Sequence, residues 1–203
     1  LFNFSVQTFK AAQGRRLSSM ECHDLMCFIG QIVVVGGVRR SAMISLSNLS
    51  DDRMRHAKSG QWWETAAHRA LANNSVSYTE RPDIETFMRE WTALVESKSG
   101  ERGIFNREAS KKQAEKYGRR DPNYEFGTNP CSEIILRPYQ FCNLTEVVVR
   151  GTDTVDDLER KVKLATILGT VQSSFTKFPY LRKVWQRNTE EERLLGVSLT
   201  GIM

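Results

Sequence analysis

Apolar and polar residues fall into short runs whose spacing switches between two and about 3.6, the periods of strands and helices. Phe2, Phe4 and Val6 alternate with polar neighbours up to Phe9, a pattern open to a strand or a short helix, and Gly14 ends it. Ser18 or Ser19 predicts a helix start, with Glu21 and Cys22 in the first turn and Leu25, Met26, Ile29 and Ile32 as the apolar face. Ile32 to Val35 is continuous and mostly β-branched, which predicts a strand buried on both faces. Ala42 to Leu46 reads as the next strand. Asp51 and Asp52 open a helix through Met54 and Ala57 that Gly60 breaks, and Gln61 to Leu71 is predicted to be helical. Asn73, Asn74 and Ser75 lead into a short strand at Val76 to Tyr78.

Pro82 to Ser97 is an amphipathic helix, with Ile84, Phe87, Met88, Trp91, Leu94 and Val95 on one side. Gly100 and Gly103 frame a turn before Ile104 and Phe105, and Asn106 to Tyr117 reads as a polar helix. Phe141 to Val149 predicts a strand and Asp156 to Phe175 a helix of about five turns. Asn188 and Thr189 predict a cap for Glu190 to Arg193, and Leu194 to Leu199 is the last strand. Strands alternating with helices predict an α/β protein with much parallel pairing.

The 203 residues suffice for one sizeable core and are read as one domain, 1–203. Residue 1 is Leu, and neither end resembles a domain boundary, so an excerpt of a longer chain is expected. The balance of 29 basic against 24 acidic residues gives a net charge of +5. That excess suits a phosphorylated ligand without demanding nucleic acid, so no direct nucleic-acid binding is expected. No apolar run reaches the roughly 18 residues of a membrane span, and no signal segment opens the chain. Four cysteines in this length do not make a secreted disulfide scaffold, and a reducing cytoplasm is the expected compartment.

Chemistry concentrates between Gly127 and Val147. Gly127, Pro130 and Pro138 argue against a helix. In extended backbone Asn129, Cys131 and Glu133 would project to one side, placing an amide, a thiol and a carboxylate against one substrate. A second thiol, Cys142, follows on the predicted strand. Such a set suits redox chemistry on a hydroxylated substrate, with the carboxylate as general base. The plain alternative is that both cysteines are small core residues. Elsewhere, Gly36 and Gly37 followed by Val38, Arg39, Arg40 and Ser41 combine a pliable backbone with paired guanidiniums that can contact a base or phosphate, or form a solvated surface hairpin. Cys22, His23 and Cys27 invite a zinc reading, but no second ligand pair follows at the needed spacing. No metal site is expected, and buried structural thiols are the reading preferred there. His56 and His68 are read as surface or core residues.

Asn129-Pro-Cys-Ser-Glu-Ile134 followed by Phe141-Cys-Asn-Leu-Thr-Glu146 resembles the active-site finger loop and next strand of ribonucleotide reductases. The close cysteine spacing resembles the adenosylcobalamin-dependent branch, class II. Val35 to Ala42, Leu71 to Val76 and Glu190 to Met203 extend the resemblance over most of the chain. The resemblance implies part of a ten-stranded α/β barrel with a central finger loop carrying the catalytic cysteine. It implies that Cys131 becomes a thiyl radical and takes the 3′ hydrogen of the ribose. Glu133 would take the 3′-hydroxyl proton and Asn129 would position the ribose hydroxyls. Cys142 would be half of the reducing dithiol, its partner lying outside this chain. The segment Gly36 to Ser41 would be the specificity loop that reads a deoxynucleotide or ATP effector. Adenosylcobalamin as cofactor and thioredoxin or a similar reductant as partner are likewise implied. The alternatives left open are a class I large subunit and a non-catalytic nucleotide-binding relative.

Overall fold

A computed structural model describes residues 1–35, 41–100 and 102–202. The chain divides into two compact units, one of Leu1–Lys116 with Gly127–Ile135, the other of Tyr117–Phe126 with Leu136–Met203. The α/β class with parallel sheets is as expected. Among the described residues no helix is long and apolar enough to cross a membrane.

The first unit holds helices α1 (Phe2–Ala11), α2 (Ser19–Val35), α3 (Asp52–Arg55), α4 (Trp62–Thr65), α5 (Ile84–Ser97) and α6 (Arg107–Glu115). Its strands β1 (Met43–Ser47), β2 (Ala72–Tyr78) and β3 (Ile104–Asn106) form one parallel sheet in that order. A 3-10 turn at Ala67–Leu71 feeds β2. Local sequence sets most helix starts. The Ser18 hydroxyl accepts from Glu21 N at 3.2 Å while Glu21 Oε2 accepts from Ser18 N at 2.8 Å, a reciprocal cap on α2. Asp83 and Asn106 accept from Thr86 N and Ala109 N to start α5 and α6.

Three expectations in this unit are corrected. Ile32 to Val35 is the last turn of α2, and its side chains are exposed. A short β-branched run cannot be told from helix by periodicity, and the helix nucleated at Ser18 carries on through it. Asn73, Asn74 and Ser75 lie within β2 rather than before it. On α5 the stripe of Ile84, Met88, Trp91 and Val95 is exposed, while Glu90 and Ala93 are buried.

The reason for that reversal is a buried ionic cluster. Glu90 receives Arg55 Nε at 2.9 Å and Arg102 Nε at 2.6 Å. Arg102 Nη1 also donates to Ser47 Oγ at 3.0 Å and to the Asn74 carbonyl at 3.1 Å, and Arg55 reaches Asp52 and the Leu49 carbonyl. Burial would push the Glu90 carboxyl up, but the two guanidiniums outweigh it and hold it below the usual glutamate range. The far end of the same sheet face is tied to α2. His23 Nδ1 lies 2.7 Å from Ser45 Oγ, and its Nε2 lies 2.9 Å from Asn74 Nδ2.

The second unit holds β6 (Asn143–Val148), α7 (Val155–Ser173), α8 (Lys183–Glu192) and β7 (Leu195–Thr200), with β6 and β7 parallel. Thr154 and Asp157 cap α7 reciprocally. Helix α7 lies tightly on the strands: a Cβ at Gly169 would overlap Leu195 Cδ1. Asn188 and Thr189 do not cap a helix as expected. They are buried inside α8, which starts earlier, at Lys183. A cap needs a free first turn, and here the chain is already helical one and a half turns upstream.

Candidate active site

Strand alternation gives the first sheet two faces of different character. Ser45, Ser47, Asn74 and Val76 share the face covered by α2 and by the Glu90 cluster. Ile44, Leu46, Asn73, Ser75 and Ser77 share the other. The segment from Gly127 lies on this second face. A Cβ at Gly127 would stand 3.7 Å from Leu46 Cδ1, and Asn73 Nδ2 donates to the Pro130 carbonyl at 3.5 Å. A two-stranded ladder of β4 (Gly127–Thr128) and β5 (Ile135–Leu136) brackets the loop.

The loop is folded rather than extended. Ser132 N donates to the Asn129 carbonyl at 3.0 Å, closing a turn over Pro130 and Cys131. Ser132 sits at φ 67°, a left-handed setting that costs a non-glycine residue about 1 kcal/mol. The extended backbone expected for Asn129, Cys131 and Glu133 is therefore corrected: the chain turns between them, and strand alternation does not set their directions. What the turn does instead is commit Asn129. Its Oδ1 accepts from Ile134 N at 3.1 Å and from Thr128 Oγ1 at 3.3 Å, so this side chain braces the loop across its neck. Cys131 and Glu133 are both exposed on the loop.

Cys142 belongs to the second unit. It is half-buried and precedes β6 rather than lying on it. Both neighbours are anchored. Phe141 stacks on Trp185 at 4.6 Å and meets Phe178 edge-on at 5.1 Å, and Asn143 Nδ2 donates to the Leu194 carbonyl at 3.1 Å. Upstream, α8 grips residues 137–140. Arg137 Nη2 lies 2.6 Å from Glu191, and Asn188 Nδ2 donates to the Pro138 carbonyl at 2.8 Å. Arg120 binds Glu192 through two contacts of 2.9 and 3.1 Å, and Gln140 joins the same carboxylate. Burial would raise the Glu192 carboxyl, but the hydrogen bonds from Arg120 and Gln140 overcome it and hold it low.

Of the expected specificity loop, Gly36, Gly37, Val38, Arg39 and Arg40 lie outside the described residues. Ser41 is half-buried beside Gly30. The reading of Cys22 and Cys27 as buried structural thiols holds for Cys27 and is corrected for Cys22, which is exposed on α2. Among the described residues ligand atoms of His23, Asp24 and Cys27 lie within 4.8 Å of one another. Their chemistry is that of a structural tie. Arg69 holds both Asp24 oxygens at 2.6 and 2.7 Å, and burial pushes the Cys27 thiol up to about 11 and the His23 imidazole down to about 4.

No protein-family model matches the chain. Individual proteins do. An adenosylcobalamin-dependent ribonucleoside-triphosphate reductase of Lacticaseibacillus paracasei is 34% identical over 204 residues, covering 95% of this chain and 25% of that protein. Proteins of the same name from Levilactobacillus brevis and Lactobacillus leichmannii are 29% and 31% identical over 97% and 93% of the chain. Over nearly its whole length the chain is similar to proteins named adenosylcobalamin-dependent ribonucleoside-triphosphate reductase. It spans about a quarter of the length of the curated relatives it matches.

Two groups that the sequence pattern does not single out act as braces, one in each unit. They are Asn73 and the α8 grip formed by Arg137, Asn188 and Glu192. Asn73 had a signal: three polar residues in a row beside a strand are costly to bury unless they are hydrogen-bonded. The grip had none, because its partners are about fifty residues apart in sequence.

Proposed function

We propose that this chain carries the radical-bearing loop of an enzyme that reduces ribonucleoside triphosphates to 2′-deoxyribonucleotides for DNA synthesis. The observation that carries the reading is an exposed thiol, Cys131, on a braced turn against the sheet face of Leu46 and Asn73, in a sequence matching these reductases over nearly its whole length. The three-stranded sheet and the β6–β7 pair would be parts of a ten-stranded α/β barrel with the loop at its centre.

An exposed thiol suits a reaction started from outside the protein chain, since no side chain generates a radical unaided. Adenosylcobalamin would supply the radical chemistry needed to oxidise the Cys131 thiol. The Cys131 sulfur then takes the 3′ hydrogen of the ribose, and Glu133 accepts the proton of the 3′-hydroxyl. The 2′-hydroxyl departs as water after taking a proton. Cys142 and a partner thiol outside these 203 residues supply two electrons and two protons, one proton to the departing water and one to C2′, as they close to a disulfide, and Glu133 returns its proton to the 3′ oxygen. The Cys131 sulfur finally returns a hydrogen atom to C3′. Asn129, committed by its carbonyl to the loop neck, offers its Nδ2–H to the ribose hydroxyls. A deoxynucleotide or ATP effector would act through Gly36 to Ser41. A dithiol protein such as thioredoxin would re-reduce the disulfide, and four free cysteines suit a reducing cytoplasm.

The test uses the full-length protein with a ribonucleoside triphosphate, adenosylcobalamin and a dithiol. Deoxynucleotide formation is expected, and Cys131→Ser should abolish it, while Cys142→Ser should stop turnover after at most one cycle. Undiminished turnover by Cys131→Ser, or activity requiring an iron protein in place of cobalamin, would overturn the reading.

A further inference from the structure

A directed chain of hydrogen bonds runs through β2 and ends on the loop. Gly103 N donates to Ser75 Oγ at 3.2 Å, Ser75 Oγ donates to Asn73 Oδ1 at 2.6 Å, and Asn73 Nδ2 donates to the Pro130 carbonyl at 3.5 Å. A serine hydroxyl has one proton to give. Given to Asn73 Oδ1, that proton fixes which end of the amide faces the loop. The serine is itself held, because a Cβ at Gly103 would stand only 2.9 Å from its Oγ.

The bond at the end of the chain falls at a telling place. The Pro130 carbonyl and the Cys131 N–H belong to one planar peptide unit. Gripping that carbonyl fixes the rotation of the plane, and with it the direction in which Cys131 leaves the backbone. The Asn129–Ser132 turn alone leaves this plane held only at its flanks.

We propose that Asn73, oriented by Ser75, is a positioning residue that aims the Cys131 sulfur. The inference rests on the reading of Cys131 as the radical residue. Asn73 touches the loop backbone and acts through it.

The test uses the full-length enzyme with Asn73→Asp, Asn73→Ala and Ser75→Ala. A carboxylate cannot donate to the Pro130 carbonyl, but a protonated carboxyl can. Misaiming the sulfur by a fraction of an ångström should lower kcat of Asn73→Asp by about 10–100-fold, with KM within about threefold of wild type because substrate binding is left alone. The deficit should shrink as pH falls and the introduced carboxyl regains its proton. Asn73→Ala should show the same loss without the recovery, and Ser75→Ala a smaller loss. Alkylation of Cys131 by iodoacetamide, followed by mass spectrometry, reads the loop without catalysis and should change several-fold in Asn73→Ala. Wild-type kcat in all three variants, or losses that track a lowered Tm with no pH recovery, would overturn the inference. If the wild-type enzyme reduces no ribonucleotide, the functional reading has failed by itself. An unchanged alkylation rate then overturns the positioning role separately.

Discussion

In the first unit α5 is fastened to its sheet by a buried carboxylate held between two guanidiniums, whereas in the second unit α7 rests on its strands through a glycine. Both solutions seat a crossover helix on parallel strands. They differ in what they demand of neighbours. Glu90 depends on Arg55 and Arg102, so any member lost leaves a charge stranded in the interior. Gly169 depends only on having no side chain. The polar solution also fixes which face of α5 turns toward the sheet. The loop carrying Cys131 lies on the sheet whose other face is fixed in this polar way.

The comparison is broken most forcefully at Glu90. Glu90→Ala should destabilise the protein by about 3–5 kcal/mol, because two buried guanidiniums lose their shared partner. Denaturant unfolding measures this, and a loss below 1 kcal/mol would mean the cluster is not what seats α5. The His23 tie sharpens the contrast through pH. Its folded imidazole stays neutral down to about pH 4, held there first by burial and then by Arg69, Lys58 and His68 against the opposing pull of Asp24. The unfolded chain takes up a proton near pH 6.5. Stability is thus fully present above that value and falls as pH drops toward 4, by up to about 3 kcal/mol. Thermal unfolding between pH 7 and 4.5 should show the slope, and His23→Gln should flatten it.

In the second unit Gly169→Ala should cost about 1–3 kcal/mol through overpacking against Leu195. Pairing it with Leu195→Ala should restore part of that loss if close approach is the cause, and the double variant's unfolding midpoint decides it. The smallest effect is expected at Thr154→Ala, about 1 kcal/mol from the lost cap on α7, read as a small drop in Tm.

The sequence by itself determined what rests on near neighbours. The caps at Ser18, Asp83, Asn106 and Thr154 join residues three apart, and Gly127, Pro130 and Pro138 exclude a helix through the thiol loop. Strand and helix order follows from the same short-range rules, which is why the α/β class was legible. Tertiary structure decided what rests on distant partners. Glu90 is buried because Arg55 arrives from 35 residues away. Asn73 faces the loop because Pro130, 57 residues on, is brought to it. Hydrophobic period records which residues prefer to leave water. It carries no record of which buried charge or amide will meet its partner, since that energy exists only once the chain has closed the distance.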